Sequence, residues 1–238
     1  MRIKWLGHSA FLLTAADGTS VITDPYLPGS FSGQIMYGPI RETAHAVTVS
    51  HHHHDHDGVS HLPGQPKAVE GKGTFKVGSV SIRGIETFHD ANEGAGRGRN
   101  TVFVFEVDGM RVCHCGDLGH VLTVEQAEAI GKVDVLLVPV GGTFTVDAAA
   151  AREVAVQLGA RVTIPMHYKT DKLGFDIAGV DRFVQGRVNV KRVGRAEVDV
   201  SADKLPPAPE ILVLEHALED WRMTIGDCRM TETNRGEE

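Results

Sequence analysis

Ala46-Val47-Thr48-Val49-Ser50-His51-His52-His53-His54-Asp55-His56-Asp57 is the stretch that decides how this 238-residue chain is read. Its first four residues form an apolar run of strand character. The next eight place five of the chain's thirteen histidines beside two carboxylates. A strand ending in such a cluster offers neutral imidazole nitrogens and carboxylate oxygens from one loop, the donor set that Zn²⁺ and similar divalent ions take. Side chains alternate faces along extended chain, so His51 and His53 leave the strand end together while His52 and His54 point the other way. Asp55 and His56 then fall on a turning loop where they can serve a second ion. The run does not read as an affinity tag, because it is internal, interrupted by Asp and flanked by a strand pattern.

Further features line up on either side of this run. Gly7-His8-Ser9 follows a first strand, then come Thr23-Asp24-Pro25, the histidine cluster, a lone His89, Cys115-Gly116-Asp117 and Pro165-Met166-His167-Tyr168. On these motifs, in this order, the chain resembles the metallo-β-lactamase superfamily, whose hallmark is the spacing His51-x-His53-x-Asp55-His56. Within it the chain is similar to small metal-dependent hydrolases of the ascorbate-6-phosphate lactonase group. The resemblance implies an α/β fold of mixed α+β character, a four-layer αββα sandwich with its site at one edge between the sheets. It also implies that His51, His53 and His89 hold one metal, that Asp55, His56 and His167 hold another, and that Asp117 bridges them. The implied cofactors are two divalent ions, zinc first, with Mn, Fe or Ni as alternatives.

Composition bounds the remaining choices. A chain of this length that is 42% hydrophobic can bury one sizeable core, so a single domain is expected over 1–218, with 219–238 as a C-terminal tail, partly disordered or docking. The net charge of −7 argues against a protein built to coat nucleic acid and leaves a small molecule as the expected partner. A homo-oligomer is compatible with this reading. Cys113, Cys115 and Cys228 are odd in number and lack disulfide-framework spacing. Met1-Arg2-Ile3-Lys4-Trp5 begins a strand and not the apolar core of a signal peptide, so a cytoplasmic location is expected. The longest apolar run, Val135 to Val140, falls far short of the ~20 residues that a membrane helix needs.

In chain order, residues 2–6, 10–15 and 19–24 read as strands, with a tight turn at Asp17-Gly18. Residues 27–41 form a loop with apolar anchors, read either as one wall of a cleft or as a loop docked on the core. A short helical turn falls within 58–64 and further strands within 66–88. Residues 101–107 and 110–115 make a hairpin around Asp108-Gly109. A βα rhythm then takes over, with helices at 123–130 (capped by Thr123), 147–158 and 176–185, and strands at 133–138, 161–164, 188–193 and 210–214.

The candidate chemistry follows from these placements. Two ions close together would supply a shared hydroxide that cleaves an ester, lactone or phosphodiester bond of a small anionic substrate. Asp55 would orient that nucleophile or take its proton, beside the bridging Asp117, and His120 is either a proton-transfer group or a loop histidine. Arg97 and Arg99, on the glycine-rich loop 92–100, suit a phosphate or carboxylate. Tyr168 and Lys169 offer a phenol and a cation next to the last expected ligand, or lie on the rim. Asp24 either orients a ligand histidine or caps a turn. Cys113 and Cys115 read as core, His114 as packed, and the five basic residues between Arg182 and Arg195 as a solvated face. The alternatives are an iron-dependent oxidoreductase or sulfur dioxygenase of the same fold, or a nucleic-acid phosphodiesterase.

Overall fold

The computed structural model describes residues 1–217, so the expected tail at 219–238, Cys228 included, lies outside the described residues. Strands β1 (Arg2–Gly7), β2 (Ala10–Thr14), β3 (Ser20–Thr23), β4 (Ala46–Val49), β5 (Lys67–Glu70) and β13 (Glu197–Asp199) build a six-stranded sheet. Its order is β13-β1-β2-β3-β4-β5. An eight-stranded sheet holds β6 (Gly73–Val77), β7 (Val80–Phe88), β8 (Arg99–Val107), β9 (Met110–His114), β10 (Val135–Pro139), β11 (Val162–Met166), β12 (Val190–Arg192) and β14 (Glu210–Val213). There the order is β12-β14-β11-β10-β9-β8-β7-β6. Both sheets are mixed: hairpins give antiparallel β1-β2-β3 and β6-β7-β8-β9, and longer connections give parallel β3-β4-β5 and β9-β10-β11-β14.

Alternation along the strands separates two apolar layers. Ile3, Trp5, Phe11, Leu13 and Val21 join Phe103, Phe105, Leu137 and Ile164 in the core shared by the sheets. Leu6, Ala10, Ile22 and Val47 face the other way and pack with Tyr26, Ile35, Tyr37, Ile40 and Leu62. The outer cover of the six-stranded sheet is therefore irregular chain from the 25–62 region, while helices cover the eight-stranded sheet. Helix Val124–Ile130, closed by a Thr123/Gln126 capping box, lies against β7, and helix Ala148–Gln157, capped by Asp147, lies against β10.

Several local expectations change. The helix expected at 176–185 contracts to the single turn Asp181–Val184. The residues ahead of it are held extended, because Ala178 N–H donates to Gly141 O and Ala178 O accepts from Lys169 N–H. Strand β13 went unread because Glu197-Val198-Asp199 is short and polar, and only its antiparallel pairing with β1 makes it a strand. Strand β8 begins at Arg99, two residues before the expected start, so Arg99 belongs to the sheet and pairs with Phe88. The 27–41 loop docks on the core through Ile35 and Tyr37, and Ser30–Gly33 form a tight turn in which Phe31 and Ser32 both have left-handed φ, 52° and 57°.

Candidate metal centre

Strand β4 ends at Val49, and the backbone turns through Ser50 into the histidine run. Asp24 fixes that turn: its carboxylate accepts from Ser50 N–H at 2.9 Å and from the Ser50 hydroxyl at 2.5 Å. Ser50 O accepts from Thr101 N–H of β8, so the edges of the two sheets that carry the donor groups are tied together here. Gly116 sits at the same seam. A Cβ on it would lie 2.4 Å from Asn100 Oδ1 and 2.5 Å from Ser50 Cβ, and its φ of +54° already favours glycine. Asn100 accepts from Asp117 N–H and donates to Cys115 O and Thr87 Oγ1, which fixes the entry of Asp117 into the cleft.

Three groups of donor atoms converge, each within 4.8 Å: His51, His53 and His89; His51, His56 and Asp117; and His8, Asp55, His56 and His167. In the first group His51 Nε2 faces His53 Nδ1 at 3.0 Å. Asp117 lies between the sets, with Oδ2 at 3.3 Å from both His89 Nε2 and His167 Nε2, and Oδ1 at 3.1 Å from His56 Nε2. Of these residues only His53 is exposed.

His8 was not among the ligands read from the sequence. It is fully buried, its Nε2 is 3.1 Å from Asp55 Oδ2, and its ring centroid is 4.1 Å from that of His167. The one available signal was its place in Gly7-His8-Ser9. His8, Asp24 and His167 all have positive φ, at 52°, 37° and 48°. Such backbone is costly for non-glycine residues and gathers where a site over-determines it.

The donor set fits divalent cations. His56 Nε2, Asp55 Oδ1 and Asp117 Oδ1 are buried without a hydrogen-bond partner, a costly state that a cation among them relieves. Burial, helped by neighbouring His56, pushes the His51 imidazole down to about 3, and burial with His167 pushes His8 down to about 4, so both offer lone pairs at neutral pH. Burial works against charging His56, yet the Asp117 and Asp55 carboxylates overcome it and raise its pKa. For Asp117 burial is likewise outweighed, by His167 and His56, and its carboxyl stays well below the usual range. Around the donor groups, Asp24 accepts from His56 Nδ1, and His114 donates from Nε2 to Ser9 O while its Nδ1 accepts from Gly116 N–H.

The other predicted residues divide. Arg97 stacks its guanidinium 4.9 Å from the Phe144 ring centre and donates to Thr143 O. Its loop is ordered by Asp90, whose carboxylate accepts from the N–H groups of Asn92, Gly94, Gly96 and Arg97. Arg99, by contrast, forms a solvent-exposed ion pair with Glu86 at 3.0 Å. Tyr168, beyond the end of β11 and after the left-handed His167, is buried against Trp5, centroids 5.2 Å apart. Lys169 donates to Phe175 O at 2.8 Å. His120 accepts from Phe88 N–H and donates to Val121 O, which engages both of its nitrogens. Cys113 and Cys115 are buried free thiols.

Two facing mixed sheets with a histidine–carboxylate cluster between their loop-bearing edges define a class. The model of the beta-lactamase superfamily domain matches residues 2–167, from β1 to the last converging histidine, and the chain belongs to that superfamily. Relatives narrow the comparison. A UPF0173 metal-dependent hydrolase of Methanospirillum hungatei is 30% identical over 217 residues, covering 81% of this chain and 94% of the relative. One from Alkaliphilus metalliredigens is 31% identical over 201 residues, covering 71% and 86%. A crystal structure from Thermotoga maritima, described as a candidate Zn-dependent hydrolase of the metallo-β-lactamase superfamily, superposes with a TM-score of 0.74 at 41% identity. That alignment covers 90% of this chain and 98% of the other.

Proposed function

We propose that this chain is a binuclear metal-dependent hydrolase acting on an ester, lactone or phosphodiester bond of a small anionic substrate. The observation that carries the reading is the position of Asp117, one carboxylate whose oxygens face histidines of both sets at 3.1–3.3 Å. His51 Nε2, His53 Nδ1 and His89 Nε2 would hold one ion, and Asp55, His56 Nε2 and His167 Nε2 the other, with His8 placed to join the second set. Zinc leads, and Mn, Fe and Ni suit the same donors. Divalent ions held there would supply Lewis-acid chemistry, activating water at neutral pH and polarising the bond under attack.

The remaining roles belong to the protein. Asp55 Oδ2, within 3.1 Å of His8 Nε2, would orient the attacking water or take its proton. Asp24 holds His56 in the tautomer that presents Nε2 inward. Arg97 is the cation retained for an anionic substrate, whereas Arg99, Tyr168, Lys169 and His120 have partners elsewhere. The buried thiols Cys113 and Cys115 suit a reducing compartment such as the cytoplasm. No helix among the described residues is long and apolar enough to cross a membrane.

The test is elemental analysis of metal-reconstituted protein together with a screen over simple esters, lactones and phosphodiesters. Close to two equivalents per chain, with hydrolysis abolished by a chelator, supports the reading. A limit of one equivalent ends the binuclear reading, and inertness of the two-metal protein toward every bond class ends the hydrolase reading.

A further inference from the structure

Three phenylalanines from three separate loops meet beside the donor cluster. Phe175, from the 170–178 loop, stands edge-on to Phe31 at 5.3 Å and to Phe144 at 5.6 Å between centroids, and its ring is 6.0 Å from that of His8. Phe31 also approaches His54, within the histidine run, at 6.3 Å. At the far side of Phe144 the Arg97 guanidinium lies over the ring. The row therefore runs from the donor cluster to a cation.

Part of this row is ordinary packing. Phe175 is buried and shares a cluster with Ile35 and Leu173, whose loops are stitched together by Met36 N–H to Lys172 O and Gly174 N–H to Gln34 O. Phe31 is different: it is 41% exposed, and both it and Ser32 hold a left-handed backbone. Phe31 meets Phe175 edge-on and leaves the rest of its ring in water beside the donor cluster, an apolar surface that a flat ligand would cover.

We propose that Phe31, Phe144 and Phe175 form an aryl-binding subsite, so that the substrate carries an aromatic or similarly flat apolar group next to the bond cleaved, with its outer negative charge set against Arg97. This rests on the hydrolase reading above and specifies its substrate. Phe175 packs against His8, Phe31 and Phe144 stand edge-on to it, and the Arg97 guanidinium lies over Phe144. A planar apolar group meets ring edges and faces there, the geometry aromatic pairs prefer. Arg97 over Phe144 keeps its charge at the outer end of the row, where a carboxylate or phosphate distant from the reacting bond would reach it.

The test compares phenylphosphonate with methylphosphonate binding to zinc-loaded full-length protein by calorimetry, which needs no turnover. The two probes share the anionic head and differ in the ring. Phenylphosphonate should bind about tenfold tighter or more, the scale expected when one ring loses its water contact. In Phe31→Ala and in Phe144→Ala the ratio should fall to about threefold or less, while Phe31→Tyr, which keeps the ring, retains it. Phe31 is exposed enough for its alanine variant to fold, and a thermal melt checks this. Equal affinities in the wild type, no binding of either probe, or a ratio untouched by both alanine variants overturns the subsite. A strong phenyl preference in a protein that hydrolyses nothing supports the subsite and overturns the hydrolase reading; the reverse pattern overturns the subsite alone.

Discussion

The Asp24 carboxylate accepts a hydrogen bond from His56 Nδ1 at 2.9 Å with both side chains fully buried, which leaves His56 Nε2 facing Asp117 at 3.1 Å. One carboxylate outside the donor cluster thus sets both the tautomer and the aim of a histidine inside it. Its other bonds, to Ser50, set the turn that launches the whole run.

Asp24→Asn keeps the shape of this carboxylate but brings an amide donor into a group that accepts three hydrogen bonds, one at Oδ1 and two at Oδ2. Zinc affinity should fall about 10–100-fold, the usual cost of removing such a support, as measured by competition with a chromophoric chelator. Unchanged affinity would show that Asp24 only closes the turn after β3.

Zinc should stabilise the fold by an amount that grows with the logarithm of free metal above its Kd. With free metal at about 100 times its Kd the gain is ~2.7 kcal/mol per independent site, visible as a rise in Tm that a chelator reverses. His167→Ala should lower the stoichiometry from two equivalents toward one. A titration that stays at its wild-type value in this variant removes His167 from the set.

Asp117→Asn replaces the shared charge while preserving volume. Turnover should drop by about 100-fold or more, equivalent to ~2.7 kcal/mol at the transition state, with metal-free stability lowered far less in relative terms because Asn100 still receives the residue 117 N–H. Full hydrolysis with full metal content in this variant would refute the shared-carboxylate role.

Arg97 and Arg99, two positions apart in sequence, should behave differently. Arg97→Ala should reduce the kcat/KM preference for an anionic over a matched neutral ester by about fivefold to tenfold, and Arg99→Ala should leave it in place, since Glu86 already neutralises that guanidinium in an exposed ion pair. The net charge of −7 opposes anions at long range but is screened beyond ~8 Å at physiological ionic strength. Identical losses in the two variants would mean that bulk charge and not position governs the preference.

Asp90→Ala tests the same loop from its base. Four backbone N–H groups lose their common acceptor, so Arg97 should leave its seat over Phe144 and the anionic preference should fall as in Arg97→Ala. A double variant no worse than either single one would confirm that the two act through one loop conformation. Additive losses would separate them.

The residues that converge were legible because strand alternation and strand ends carry strong sequence signals. His51 and His53 share a face by the period of two, and His89, Asp117 and His167 each end an apolar run. His8 was hard to read because a single histidine between Gly7 and Ser9 looks like any loop residue until the first sheet is folded against the second. Tyr168, Lys169 and His120 each neighbour an expected site residue, and their side chains engage Trp5, Phe175 O and Val121 O, contacts that only folding brings about. The helix read at 176–185 had helical composition, but backbone bonds to Gly141 and Lys169, far away or irregular in register, won over propensity. Strand β13 is the opposite case, three residues with no strand signal that a partner at the other end of the chain recruits.

That recruitment has a consequence for how the molecule is made. Arg2 pairs with Asp199, 197 positions later. At ~5–20 residues per second a ribosome takes about 10–40 s to cover that span. Throughout this interval the outer edge of β1 lacks its partner, a template open to neighbouring chains. The converging set His51, His53 and His89 is complete before half the chain has emerged, while its counterpart waits for His167. Synthesis itself therefore imposes an order on the two halves of the cluster, and the first half exists for seconds without the second.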